Sequence, residues 1–177
     1  MKLSRLLLAG VAAAGLMVTG AQAADLILDE PDTVFDSPLF NFEGIYIGGT
    51  LGAAAFPTTA GIVGTVGVVA GANFAFGDAV LAGAEFQGDL LWDGGGFTGF
   101  DALLLGKLGF YLSDETVVYG TGGGGVVDGT TSYALGAGIE MALADQLSGR
   151  IEGMATGTWG SAPDGGKVAV GLIWHMN

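Results

Sequence analysis

The chain contains no cysteine, a single histidine and only five lysines and arginines among 177 residues. Without cysteine there are no disulfides, thiolate metal sites, cysteine nucleophiles or lipid-modified cysteine anchor. Positive charge is scarcer still beyond the first turns of the chain, because Lys2 and Arg5 open a leader. They precede an apolar run from Leu6 to Val18, and Ala21-Gln22-Ala23 then supplies the small-x-small pattern of a signal-peptide cleavage site. Residues 1–23 read as a secretory signal peptide, cut between Ala23 and Ala24. The exported chain keeps Lys107, Arg150 and Lys167 against 18 acidic residues. A basic footprint for nucleic acid or anionic lipid is therefore absent.

Glycine and apolar residues, by contrast, are plentiful: 35 glycines and a mean hydropathy of +0.58. These glycines are mixed with Val, Ile, Leu and Ala rather than with Ser, Gln or Lys, which argues against disorder. A narrow barrel interior with little room for side chains accounts for them. Glycine weakens a strand by about 0.5–1 kcal/mol relative to alanine, so closure of the sheet must hold such strands together.

The stretch 79–92, AVLAGAEFQGDLLW, shows how the chain is built. Val80, Ala82, Ala84, Phe86, Leu90 and Trp92 share one side, and Gly83, Glu85, Gln87 and Asp89 the other. A period of two is a strand. An apolar face too rich for a soluble domain, backed by a charged face, is the inverted pattern of a membrane barrel. The same alternation recurs downstream. Phe100, Ala102, Leu104, Leu108 and Phe110 oppose Asp101, Lys107 and Tyr111. Tyr133, Leu135, Ala137, Ile139, Met141 and Leu143 oppose Ser132, Gly136, Gly138 and Glu140. Leu147, Ile151 and Trp159 oppose Ser148, Arg150, Glu152, Thr156 and Thr158, and Val168, Val170, Leu172, Trp174 and Met176 oppose Lys167, Ala169 and His175.

Residues 44–77 carry no charge, and Gly61, Gly64, Gly67 and Gly71 permit a helix-packing reading. The β-branched Ile62, Val63, Thr65, Val66, Val68 and Val69, with Pro57-Thr58-Thr59-Ala60 as a turn, favour two strands. Eight strands result, at about 44–56, 61–75, 79–92, 99–111, 117–127, 131–143, 147–159 and 167–176. Asp128-Gly129 marks a tight hairpin, and Gly122–Gly125 hides the facing of the fifth strand. An even count returns both termini to the periplasmic side. The expected organisation is a signal peptide (1–23), an acidic periplasmic segment (24–43) and a barrel (44–177). The fold class is all-β, an eight-stranded antiparallel up-and-down transmembrane β-barrel.

The polar faces bring Glu85, Lys107, Glu140, Arg150 and Glu152 into the lumen, with Asp89, Asp101 and Lys167. If 144–146 is a three-residue turn, Glu140 sits across from Arg150 and Ile139 across from Ile151. Lys107, on the adjacent strand, is the nearest expected counter-charge to Glu85 and Asp89, with Arg150 further round. An eight-stranded barrel is just wide enough for side chains to fill, so these groups read as a structural ion-pair network and not as a channel. Signs of catalysis are thin. Gly120-x-Gly122-x-x-Gly125 matches a dinucleotide spacing, but no helix follows it. Glu85 and Asp89 fit the lumen better than an acid–base pair. His175 has no nucleophile at a supporting spacing, and its parity points it away from lipid. The loop acids Asp93, Asp128 and Asp164 offer divalent cations a loose hold at most. The expectation is a protein that is not an enzyme, with no cofactor and no metal site.

Several stretches resemble the small outer-membrane β-barrels of Gram-negative bacteria, the porin-family or OmpA-like membrane domain group. They are Phe42-Glu43-Gly44-Ile45-Tyr46-Ile47-Gly48-Gly49, Gly71-Ala72-Asn73-Phe74, Leu81-Ala82-Gly83-Ala84-Glu85, Tyr119-Gly120-Thr121-Gly122-Gly123, Gly136-Ala137-Gly138-Ile139-Glu140, Arg150-Ile151-Glu152 and Val170-Gly171-Leu172-Ile173-Trp174. The resemblance implies a cell outer-membrane protein of structural, antigenic or envelope-stability role, whose partners are outer-membrane lipids and the barrel-assembly machinery. It departs from the family at Met176-Asn177, where members usually end on an aromatic residue. Short candidate outer loops near 57–60, 93–98, 128–130 and 160–165 leave little surface for receptor recognition. Alternatives are a small pore or surface binding protein, an outer-membrane lipid hydrolase resting on His175, and a soluble secreted β-barrel. The last would need Glu85, Lys107 and Arg150 on the outside. Oligomeric state is left open by the sequence.

Overall fold

A computed structural model describes residues 40–57, 59, 61–77 and 79–176. The expected signal peptide, its expected Ala23/Ala24 cleavage site and most of the acidic 24–43 segment lie outside the described residues. Eight strands follow one another: β1 Gly44–Ala55, β2 Val63–Phe76, β3 Val80–Asp93, β4 Gly96–Ser113, β5 Thr116–Val127, β6 Thr130–Ala144, β7 Leu147–Thr158 and β8 Gly165–Met176. Each pairs antiparallel with its neighbour in sequence, and β8 closes on β1. The expected up-and-down barrel is what forms. The uncharged stretch that permitted a helix is β1 and β2, as its β-branched residues require.

The registers also set the barrel's width. One line of paired residues runs Ile45, Ala72, Ala84, Gly106, Gly122, Leu135, Ala155, Gly166 and returns to β1 at Ala55. That is a shear of about ten residues, which for eight strands tilts them about 40° and gives a backbone radius of about 8 Å. Twelve-residue strands such as β1 then stand about 30 Å tall, the thickness of a bilayer's hydrocarbon core.

Two turns differ from expectation. The loop placed at 93–98 is only Gly94-Gly95, because β4 begins at Gly96 and pairs it with Asp93. Asp93 Oδ1 accepts from the Gly95 amide at 2.8 Å, and Gly96 adopts φ +136°. A glycine run that reads as loop thus starts a strand, since an acid two residues back closes the turn for it. Between β6 and β7, Ala144 pairs with Leu147, so the turn is the two residues Asp145-Gln146 and not three. A register shift between Ala142 and Ala144 supplies the missing residue. Glu140 still faces Arg150, and Ile139 faces Ile151. Bulge and turn together have the parity of the odd loop.

β5, whose facing the glycines concealed, turns Val117, Tyr119, Thr121 and Val127 inward. A Cβ on inward Gly123 would lie 2.9 Å from the Leu105 Cα, so no larger residue fits where β5 crowds β4. Glycine serves a second purpose opposite two tyrosines. Tyr46 faces Gly71 and Tyr119 faces Gly138, and each ring lies over its glycine. A Cβ on Gly138 would meet Tyr119 Cζ at 2.6 Å and the Ile151 carbonyl at 2.7 Å. Gly138→Ala is expected to destabilise the barrel by about 1–3 kcal/mol. Gly153→Ala, with nothing within 4 Å of its added carbon, serves as the control. Urea unfolding at matching midpoints for the two would contradict this account of Gly138.

Candidate functional site: the sealed polar lumen

Apart from Asp93, at the rim of β3, every charged side chain of the strands is buried, namely Glu85, Asp89, Asp101, Lys107, Glu140, Arg150, Glu152 and Lys167, and so is His175. Strand parity places them there, because each occupies the inward position of its alternation. All but Asp101, which accepts from the Asp128 amide at 3.0 Å, meet in two hydrogen-bonded groups within the lumen.

Glu85 is held by four donors. Arg150 grips it with a bidentate pair, Nη1 to Oε2 at 2.6 Å and Nη2 to Oε1 at 3.0 Å. Tyr46 donates to Oε2 at 2.7 Å and Gln87 to Oε1 at 2.7 Å. Gln87 Nε2 also donates to Glu152 at 2.8 Å, while its carbonyl accepts from Lys167 at 3.1 Å. Lys167 in turn pairs with Asp89 at 2.6 Å. In the second group, Lys107 pairs with Glu140 Oε2 at 2.9 Å and stands 4.2 Å from the centre of the Tyr119 ring, a cation–π contact. Ser148 donates to Glu140 Oε1 at 2.6 Å.

The predicted residues are thus brought together, and of the two counter-charges expected for Glu85 the more distant one, Arg150, is its partner. Lys107 does not serve Glu85 or Asp89. Glu85 takes Arg150, Asp89 takes Lys167, and Lys107 reaches Glu140. Glu152 forms no ion pair among the described residues, and its Oε2 has no hydrogen-bond partner. The reason is the narrow radius: long side chains span the lumen, so β3 meets β7 and β8 more readily than its own neighbour β4. Glu140 and Arg150 face each other on the backbone ladder while their charged ends aim elsewhere. The alternation puts Lys167 and Gln87 on the luminal face but assigns them no partner, while Tyr46, in the uncharged β1, shares the inward parity without a charged neighbour to mark it.

Ser148, His175 and Glu140 lie close enough to suggest a catalytic triad, and their geometry argues against one. His175 Nε2 is 2.9 Å from Glu140 Oε1 and 3.2 Å from Ser148 Oγ, so acid and hydroxyl share one nitrogen while Nδ1 has no partner. A working triad uses one nitrogen for the nucleophile and the other for the orienting acid. Phe40, Phe42 and Tyr46 also enclose the imidazole, at ring-centre distances of 5.1, 5.7 and 5.6 Å. The dinucleotide-like glycines lie in strand β5, on the barrel wall.

Apolar side chains close both ends of the polar layer. At the end carrying the short turns, Phe42, Leu81, Val117 and Tyr119 cluster, with Phe40 and Tyr111 packed on them. Asn73 Nδ2 donates to the Phe42 carbonyl at 3.0 Å, and the Ala75 amide to Glu43 at 2.8 Å. The residues just before β1 therefore stopper that mouth. Toward the loop end Phe56, Leu91, Leu103, Leu105 and Met154 form the other seal.

The outer wall is apolar throughout. Leu104 is 66% exposed, and Leu108, Leu135, Ile151, Val168 and Val170 are comparable. Trp92, Phe97 and Trp159 ring the loop end, while Phe74, Phe76, Phe110 and Trp174 ring the turn end.

No protein-family model and no curated protein sequence matches this chain. Among solved structures it is similar to a de novo designed transmembrane β-barrel, at 20% identity, covering 76% of this chain and 98% of that one with a TM-score of 0.47. It is also similar to the outer-membrane protein Ail of Yersinia pestis, determined in a phospholipid bilayer nanodisc, at 13% identity over 75% of this chain and 99% of that one, TM-score 0.45. A third likeness is to Rv2717c of M. tuberculosis, at 14% identity over 80% and 94% of the two chains, TM-score 0.26.

Proposed function

We propose that this protein is an integral outer-membrane β-barrel of the small porin-family or OmpA-like kind, structural and non-catalytic, contributing to envelope integrity. The observation that carries the reading is the inverted facing: charge sealed in the lumen, with a continuous apolar wall between two aromatic rings outside. In water such a wall would exceed by far the largest apolar patch of about 300–600 Å² tolerated on a soluble monomer. In lipid it matches the apolar band and aromatic girdles of an outer-membrane barrel. A closed barrel also leaves no unpaired strand edge in hydrocarbon.

The remaining expectations are proposals on the same footing. The leader exports the chain, the assembly machinery inserts it, and outer-membrane lipids surround it. The termini lie on the periplasmic side and the 56–62, 94–95, 128–129 and 159–164 connections outside. The double seal of the lumen supports a structural role over a pore, and the buried, single-nitrogen arrangement around His175 supports the absence of lipid hydrolysis. Envelope fractionation followed by gel electrophoresis with and without boiling tests the reading. The protein is expected in the outer membrane, with a heat-dependent shift in mobility. Recovery in the soluble fraction would overturn it.

A further inference from the structure

The mouth at the loop end holds a second concavity, of about 220 Å³, that the ion pairs do not use. Inward positions of β6 and β7 line one side of it with hydroxyls: Thr130 and Ser132 on the first, Thr156 and Thr158 on the second. Ser132 and Thr158 are directly paired across the ladder, which sets such side chains about 4.5–5.5 Å apart. Asp164, from the β7–β8 connection, adds a carboxylate, and its own amide is tied to the Thr156 carbonyl at 3.0 Å. Phe56 and Val127 form an apolar wall. Gly165 lets Thr156 and Phe56 pack closely beside it, since a Cβ there would come within 2.6 Å of Thr156 Oγ1 and 2.9 Å of the Phe56 ring.

We infer that this mouth binds a neutral saccharide unit. Each hydroxyl both donates and accepts, and Asp164 only accepts, so the complementary ligand is rich in hydroxyl donors that also accept. Ser132 Oγ spends its proton on the Thr130 carbonyl at 3.2 Å and offers its lone pairs. None of the residues lining the concavity is basic, which disfavours phosphate and carboxylate ligands. A single carboxylate falls short of the oxygen shell a calcium ion takes. The apolar wall suits the C–H face of a sugar ring. A volume below the roughly 300–1,000 Å³ of sites for drug-sized ligands limits the occupant to a single ring, such as the terminal unit of a surface glycan.

The site belongs to the barrel mouth and stands whatever surrounds the outer wall, so its test is separate from fractionation. Amide resonances of the isotope-labelled protein are followed during titration with D-glucose and N-acetyl-D-glucosamine, in micelles of a detergent without a sugar headgroup. Calcium chloride and inorganic phosphate serve as parallel arms. At least one sugar is expected to produce saturable shifts confined to Thr130, Ser132, Thr156, Thr158 and Asp164, with half-saturation in the millimolar range. Thr158→Val is expected to abolish them. Asp164→Asn, an exposed loop change that leaves folding alone, is expected to weaken them several-fold. No saturable shift with either sugar, or shifts at this mouth from calcium or phosphate in place of sugar, would overturn the inference, as would sugar shifts unchanged in Asp164→Asn.

Discussion

Arg150→Ala is expected to lower barrel stability by about 3–5 kcal/mol, because it leaves Glu85 buried with its charge uncompensated. The two short bonds from Arg150 disappear, and Tyr46 and Gln87 alone remain as neutral donors. Ser148→Ala, at an equally buried position, removes one donor from a carboxylate that keeps Lys107. Its expected cost is about 1.5–3 kcal/mol at most. Urea titration of the detergent-folded proteins measures both. A double replacement, Glu85→Met with Arg150→Met, separates pairing from packing: removing both charges together is expected to recover much of the loss. Equal midpoints for Arg150→Ala and Ser148→Ala would dismiss the luminal network as a stabilising element.

The second large effect concerns the outer wall. Leu104 lies midway along β4 and is 66% exposed. In liposomes, Leu104→Arg is expected to cost about 2–4 kcal/mol, the depth-dependent price of a cation at the bilayer midplane. Phe76→Arg, at the last residue of β2, is expected to cost about 0–1 kcal/mol. On a water-facing wall both would be ordinary surface changes, within about 0.5 kcal/mol of neutral. Unfolding midpoints of the two variants in lipid therefore discriminate. A neutral Leu104→Arg would mean that the wall does not meet hydrocarbon, and the membrane reading would fall with it.

Strand facing was legible because parity is local. Whether Glu85 points in or out follows from its neighbours Phe86 and Ala84, and no distant residue changes that. The Glu140–Arg150 register was legible too, though for a turn of the wrong length. Alternation on both sides of 144–146 demanded an odd offset, and a bulge beside a two-residue turn meets that demand as well as a three-residue loop does. β5 was illegible in its glycine run because a residue without a side chain carries no facing signal. The start of β4 was missed because Gly94–Gly96 reads as loop, while the carboxylate that closes its turn, Asp93, reads as an ordinary loop acid.

The candidate site divides along the same line. By itself the sequence determined that charge alternates with apolar residues strand after strand, and hence that the acids and bases share one face of a closed sheet. It could not determine which acid meets which base. That choice depends on shear and radius, which emerge only when all eight registers are summed round the barrel, and a radius of about 8 Å lets Arg150 cross to Glu85 and Lys167 to Asp89. Tertiary structure alone decided that the lumen is stoppered by Phe42, that His175 lies beneath that stopper, and that Phe56, Val127 and Asp164 meet the hydroxyls at the opposite mouth. Each of these joins residues far apart in the chain, and such contacts have no period for a sequence to display.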